Sequence, residues 1–460
     1  MTGAEKSHRK ESVYNRDWTK GSVIRNLIML SWPMVIMESL WVISQIVDLI
    51  WVGKLGPNSI AGVGIANIIL MLVWSVDMAL IAGVRAMIAR HIGAGDIQSA
   101  NNITIQAIAL GILWGLLVTL IGIAMDASIL GFFGVDEEVV TEGLAYLRVT
   151  FAGWVGMEIM IICIYSIQAS GDTLTPMIVE VLIRIIHIVI CPFLVLGWWV
   201  FPEMGVSGAA LSNVISQSLG GVILLWILIK GRTRLRLTLK GFRFQPRVIW
   251  RILKIGIPVL VMGLQSAFSG MLLMRLVSPF GALAVAAHSL ASRTEMFLFV
   301  PGMALGTGAG VLVGQNLGAS QVDQAKRTAW IAVSFVETFM IICSIVILVL
   351  SRNIVGLFTV DPELIKLGSM FLRIATVSYL VIALSSVLQN CIAGAGDTVP
   401  NMIVSLAVVW CIQLPLAFYL SKSTTLGIFG IRWAMVTSTV TAAIAYALYF
   451  ISDRWKNKKI

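Results

Sequence analysis

Along this chain long apolar runs alternate with short polar ones, and the alternation recurs twelve times. The runs fall at about 26–52, 60–84, 102–125, 144–167, 176–200, 206–229, 252–278, 284–312, 328–350, 366–392, 400–420 and 428–452. Each is about 20 residues or longer, the length a helix needs to cross the hydrocarbon core of a bilayer. A helix suits such a run because it satisfies its own backbone hydrogen bonds where no water can. Several runs exceed about 25 residues, which predicts tilting or bending. The connections are short, so no soluble domain is inserted. The pattern predicts an all-α integral membrane protein with twelve transmembrane helices.

Of the 460 residues, 58% are hydrophobic and 12% are charged. The charged share is about half that of a soluble domain. An ordinary soluble enzyme, a disordered chain and a disulfide scaffold are excluded. The net charge of +10 would point to nucleic acid in a soluble protein. Here most of it gathers at the two termini and in one basic run, 230–254, so no nucleic-acid partner is expected. The excess of Lys and Arg marks the cytoplasmic side. With the N-terminus inside, that side holds Lys6, Arg9, Lys10, Arg16, Lys20, Arg25, Arg85, Arg90, the basic run, Lys326, Arg327, Arg454, Lys456, Lys458 and Lys459. The outer side holds only Lys54, Arg275, Arg352, Lys366, Lys422 and Arg432, and it includes an acidic loop with Asp126, Asp136, Glu137, Glu138 and Glu142. Both termini are therefore expected in the cytoplasm of a multi-pass plasma-membrane protein. Residues 1–24 are polar and lead into a full-length span, which predicts no cleaved signal. The basic run reads as an orientation determinant facing water and lipid headgroups. Cys163, Cys191, Cys343, Cys391 and Cys411 lie in apolar stretches without a CxxC, and are expected as small buried hydrophobes, without disulfides or a metal. Trp198, Trp199, Trp250 and Trp455 are expected as interfacial anchors.

Displaced by 225 positions, the sequence matches itself. Pro33 meets Pro258, Gly56 meets Gly281, and Gly83 meets Gly308. Val135-Asp136 meets Val360-Asp361, Leu147-Arg148 meets Leu372-Arg373, and Gly171-Asp172-Thr173 meets Gly396-Asp397-Thr398. Apolar composition alone does not place Asp and Arg in register. The organisation expected is an N-terminal six-helix lobe over 1–229, a basic linker over 230–251 and a C-terminal six-helix lobe over 252–460. An even number of spans per half makes the repeats parallel, related by a pseudo-two-fold axis along the membrane normal. A transporter places its substrate between such halves; a symmetric channel-like pore is the other arrangement they allow.

A charge at the bilayer centre costs about 2.5–3.5 kcal/mol on insertion scales, so each intramembrane polar group needs a reason. The fifth run carries Glu180, Arg184, His187 and Cys191 at spacings of 4, 3 and 4, which is one helical face. Two readings stand: a Glu180–Arg184 pair that neutralises itself, or a cavity lining that includes a titratable His187. The first run carries Glu38, Trp41, Gln45 and Asp48, and no basic residue of that run can pair with Asp48. Asp48 is a proton-exchanging coupling group or a plain hydrogen-bonded carboxylate. Pro33 removes a backbone hydrogen bond and makes a hinge or a static kink. Asp77, Glu158 and Asn213 add polar groups to the first half, Asp77 either lining a cavity or joining helices. The second half has Leu273 opposite Asp48 and Ile412 opposite His187. Its Arg293 and Glu295 read as a local pair, and His288 and Glu337 are silent alone. Trp41, Trp74 and several Met could line an adaptable hydrophobic cavity, although packing is the plainer role for any one Met.

The chain resembles the multidrug and toxic compound extrusion (MATE) family, DinF-like branch. The likeness rests on Pro33 with the run VDLIWVGKLG at 47–56, the turns ASGDT at 169–173 and GAGDT at 394–398, and GVSGAALSN at 205–213. It implies two six-helix lobes around a cleft and export of amphiphilic, often cationic, small molecules in exchange for H⁺ or Na⁺. It places Asp48 on the family's first-span carboxylate and Pro33 on its first-span bend. It makes His187, Cys191 and Asn213 the partners of Asp48 in a first-lobe ion or proton site. Many members have oxygen-bearing side chains where this chain has His187 and Cys191. That change favours H⁺ over Na⁺, a hard ion that prefers oxygen, or a changed substrate. Gln265-Ser266 and Ile382 stand where another branch has second-lobe acids.

Three functions are weighed. The first is an antiporter with Asp48 as its coupling carboxylate and Glu38, Trp41, Gln45, Asp77, Glu180, Arg184 and Gln265 lining the substrate cavity. It needs no cofactor beyond the coupling ion and works as a monomer among membrane lipids. The second is a flippase for lipid-linked precursors of the same superfamily, which needs a cationic cavity. Arg184, Arg275 and Arg293 are its candidates, against at least as many carboxylates. The third is a membrane enzyme. With only His8, His91, His187 and His288, and no HExxH, paired-Asp metal motif or nucleotide loop, it is set aside.

Overall fold

The structure, a computed structural model, describes residues 16–125, 130, 134, 136–238 and 242–458. Lys6, His8, Arg9, Lys10, Asp126, Val135 and Lys459 lie outside those residues, as do 239–241 of the basic run. The first half contains α1 (Val23–Gly53), α2 (Pro57–Gly93), α3 (Ile97–Ala124), α4 (Glu137–Ala152), α5 (Trp154–Ala169), α6 (Leu174–Leu196) and α7 (Gly205–Ile229). The second contains α8 (Pro246–Val277), α9 (Ala282–Gly318), α10 (Val322–Gly356), α11 (Pro362–Tyr379), α12 (Ile382–Gly394), α13 (Thr398–Ala407), α14 (Leu414–Lys422) and α15 (Ile428–Ile451). A π-turn, Val408–Gln413, joins α13 to α14 in one span. Among the described residues ten spans without a sharp bend are long and apolar enough to cross a membrane; the bent pairs α4–α5 and α11–α12, each taken as one span, bring the number to twelve.

The fourth and tenth spans bend by 58° and 55° at nearly equivalent places in the repeat, the tenth being one of the long runs for which bending is expected. At the first bend Gly153 sits so close to α7 that a Cβ would collide with the Val214 methyls. Small residues permit such approach between helices in lipid. At the second, Glu337 of α10 accepts a hydrogen bond from the Ala383 N–H at 3.3 Å. It takes up one of the donors that a new helix start leaves free. Apolar run length reports neither contact.

The chain divides into two packed units. Residues 16–18 and 36–256 form one, and residues 19–35 and 257–458 form the other. Thus α1 changes unit just past Pro33 and α8 changes unit just before Pro258. In the first unit, α2 packs on α3 and α4, α3 on α5, and both α5 and α6 on α7. In the second, α9 packs on α10 and α12, α10 on α11, and α12 and α14 on α15. The two cores use equivalent residues: Val52, Val206 and Ala209 in the first, Val277, Ile431 and Ala434 in the second.

Three further expectations are corrected. Glu295 pairs with Arg432 of α15 at 3.1 Å, rather than with Arg293. Residues two apart on a helix point in different directions, and Arg432 is buried and also donates to the His288 carbonyl at 3.0 Å. Trp455, expected at the interface, is fully buried with its ring stacked on Phe450, centroids 4.6 Å apart. Cys411 is exposed and Cys343 half-buried, while Cys163, Cys191 and Cys391 are buried as expected.

Candidate functional site

The site begins with helix periodicity. Spacings of 4, 3 and 4 put Glu180, Arg184, His187 and Cys191 on one stripe of α6, and all four are buried. In the same unit, Asp48 comes from the later part of α1. His187 Nε2 lies 3.0 Å from Asp48 Oδ1, and the Cys191 thiol donates to the same oxygen at 3.7 Å. The His187 side chain is 1% exposed and that of Asp48 13%. Two residues distant in sequence thus supply a base and a weak donor to one nearly buried carboxylate. Tyr146 of α4 is buried within electrostatic reach of both Asp48 and Cys191, and the Ser212 hydroxyl of α7 contacts Cys191. Sequence reasoning missed both: a tyrosine or serine in an apolar run does not reveal which neighbour it meets.

Earlier in α6, Glu180 accepts from Arg184 Nε at 2.7 Å and Nη2 at 2.6 Å. Glu38 of α1 joins this pair electrostatically, together with Arg85 of α2. The group holds two acids and two bases, so its charges balance inside the membrane-spanning region, where an unbalanced charge would be costly. A third cluster links α2, α3 and α5. Trp114 Nε1 donates to Asp77 Oδ1 at 2.7 Å, and Asp77 and Glu158 have no accessible surface, with Asp77 Oδ2 and both Glu158 oxygens lacking a hydrogen-bond partner.

Other sequence candidates make contacts of their own. The Asn213 amide oxygen accepts from Gln217, one turn along α7. Gln45 is exposed and Trp41 half-buried on α1. Gln265 belongs to the second unit, where it accepts from the Ser405 hydroxyl at 3.4 Å. Pro33 is buried inside α1, at the edge of the stretch that belongs to the second unit.

Known proteins can be set beside this geometry. A family model described as MatE matches residues 33–193 and again 258–419, once in each half. The chain belongs to the MatE family. Among MatE relatives it is 26% identical to the "Probable multidrug resistance protein NorM" of Thermotoga maritima, over 95% of this chain and 94% of that protein. It is 23% identical to the "Probable multidrug resistance protein YoeA" of Bacillus subtilis, over 98% of each. A solved structure described as an outward-facing multidrug resistance MATE family transporter of the MOP superfamily has the same fold, with a TM-score of 0.89. It is 24% identical and covers 96% of this chain and 98% of that one. MatE membership makes this a multi-pass membrane transporter, with the twelve-span helical fold that the apolar runs predict.

Proposed function

We propose that this protein is a secondary antiporter that exports small amphiphilic or cationic compounds in exchange for protons, with Asp48 as the coupling carboxylate. The observation that carries the reading is the meeting of Asp48 with His187 at 3.0 Å in a nearly buried place. A carboxylate held there, away from water, needs a proton or a positive partner to balance its charge. Cargo release and proton loading then exclude one another. Alternating exposure of Asp48 to the two sides of the membrane converts a proton gradient into export. The one-oxygen, one-nitrogen, one-sulfur surroundings favour H⁺ over Na⁺.

The names of the relatives, multidrug resistance proteins of bacteria, support a drug-like cargo and a plasma-membrane location. The lysine and arginine pattern supports cytoplasmic termini. Arg85 and Arg184 interact with Glu38 and Glu180, which favours cationic cargo over a lipid-linked pyrophosphate. The test is dye efflux from proteoliposomes under separately imposed pH and Na⁺ gradients. Wild type responds to the pH gradient, and Asp48→Asn reconstitutes equally well but exports at the background rate. Wild-type efflux by Asp48→Asn, or efflux driven by Na⁺ alone, overturns the proposal.

A further inference from the structure

The atoms that meet at Asp48 form an unusual set for an alkali-cation site. One carboxylate oxygen, one imidazole nitrogen and one cysteine sulfur all lie within 4.8 Å of one another. The individual separations are 3.0 Å for Asp48 Oδ1 to His187 Nε2 and 3.7 Å for Asp48 Oδ1 to Cys191 Sγ. A tetrahedral ion with bonds of about 2.0–2.3 Å holds its ligand atoms roughly 3.3–3.8 Å apart. The oxygen–sulfur spacing falls within that range, and the oxygen–nitrogen spacing is about 0.3 Å shorter, a gap that a small side-chain shift closes on ligation.

His187 supplies a second, independent sign. It is 1% exposed, yet neither ring nitrogen makes a hydrogen bond of proper geometry. A buried imidazole without an aligned partner is costly, and here its Nε2 points into the space it shares with an oxygen and a sulfur. Ligation of a metal would satisfy it. The donor set selects the ion: sulfur and imidazole suit zinc-like cations, while alkali and alkaline-earth ions seek oxygens.

We propose that Asp48, His187 and Cys191 form a three-ligand site for a thiophilic divalent cation of the Zn²⁺ class, and that its occupation stops transport. The Cys191 thiol loses its proton on ligation, the sulfur–metal bond replacing the sulfur–hydrogen bond and the proton leaving to solvent. Three protein ligands leave one coordination position open to water. The metal takes the oxygen that cargo and proton would use, so efflux falls as the site fills. The transport consequence rests on the function proposed above; metal binding stands on the geometry alone.

The test uses the full-length protein in detergent with Co²⁺ as the spectroscopic probe. One equivalent should give the visible bands of a tetrahedral ion and a near-ultraviolet thiolate-to-metal band, both displaced by Zn²⁺. Cys191→Ser and Cys191→Ala should lose the thiolate band, and His187→Gln should weaken binding by about 100-fold or more, beyond the loss typical of outer-shell changes. Cys163→Ser and Cys411→Ser should keep both. In proteoliposomes, Zn²⁺ should inhibit wild-type efflux at the concentration that fills the site. The residual efflux of Cys191→Ser, whatever its rate, should need about 100-fold more. No stoichiometric binding to wild type, or a thiolate band that survives in a folded Cys191→Ala protein, overturns the site. Binding without inhibition overturns the regulatory role. Intact efflux by Asp48→Asn alongside normal metal binding to wild type would sink the proton-coupling reading and leave the metal site standing.

Discussion

The two units share a scaffold but not a chemistry. Val52 and Val277, Val206 and Ile431, and Ala209 and Ala434 are equivalent pairs in the two cores. Within those same cores Asp48 is replaced by buried Leu273, and Cys191 by Leu416. Where α6 of the first unit is regular and carries His187, the matching span of the second contains the π-turn Val408–Gln413 with Ile412 at the equivalent place. The main buried charge of the second unit is the Glu295–Arg432 pair, whose partners answer each other. In the first unit Asp48 is answered by an imidazole and a thiol rather than by an arginine. A duplicated bundle can keep its packing and confine its ion chemistry to one copy, because leucine fills the volume that a functional side chain vacates.

The comparison can be broken most forcefully by making the first unit like the second. Asp48→Leu copies Leu273. It is expected to fold and reconstitute, because the equivalent leucine packs well, and to lose gradient-driven efflux entirely, read as dye export in proteoliposomes. Efflux above background in that variant would show that the coupling group lies elsewhere.

The next effect concerns stability. Arg432→Met leaves Glu295 buried without its partner, a change expected to cost about 3–5 kcal/mol and to appear as a large fall in Tm in detergent. Adding Glu295→Leu should restore most of it, since a packed apolar pair often replaces a buried ion pair without loss. If the single variant melts like wild type, the pair is not structural.

The smallest contrast lies at the start of two equivalent helices. Asp96 is the N-cap of α3 and accepts from the Ser99 N–H at 3.0 Å, while Gln321 occupies the same place before α10 without a side-chain capping bond. Asp96→Ala should cost about 0.5–1 kcal/mol, and Gln321→Asp should gain a similar amount, read as opposite shifts in Tm. The Ser99 hydroxyl and N–H hold the exposed Asp96 carboxyl below its ordinary 3.8. Its contribution is therefore complete above that value and fades as pH falls through the lower folded value, so the Asp96→Ala difference should vanish in acid. A difference that persists there would assign it to something other than the charged cap.

Much of the site's membership was legible in sequence and its geometry was not. The 4, 3, 4 spacing set Glu180, Arg184, His187 and Cys191 on one face because helical period alone fixes direction. Asp48 stood out because a carboxylate in an apolar run has no ordinary reason to be there. Tyr146 and Ser212 were invisible, since their residue types are common in membrane helices and only packing brings them to Cys191. Arg432 was legible as an outer-side charge near a span end, while its pairing with Glu295 of another helix was not, because only packing brings the two together.

Apolar run length, the 225-residue repeat and the distribution of Lys and Arg determined the helix number, the duplication and the expected orientation, because each depends on one helix at a time or on charge alone. Tertiary structure decided the bends near Gly153 and Val381, the change of unit beside Pro33 and Pro258, and the joining of Asp48 to His187 and Cys191. Those outcomes depend on which helix faces which and in what register, and no periodicity within a single span contains that information.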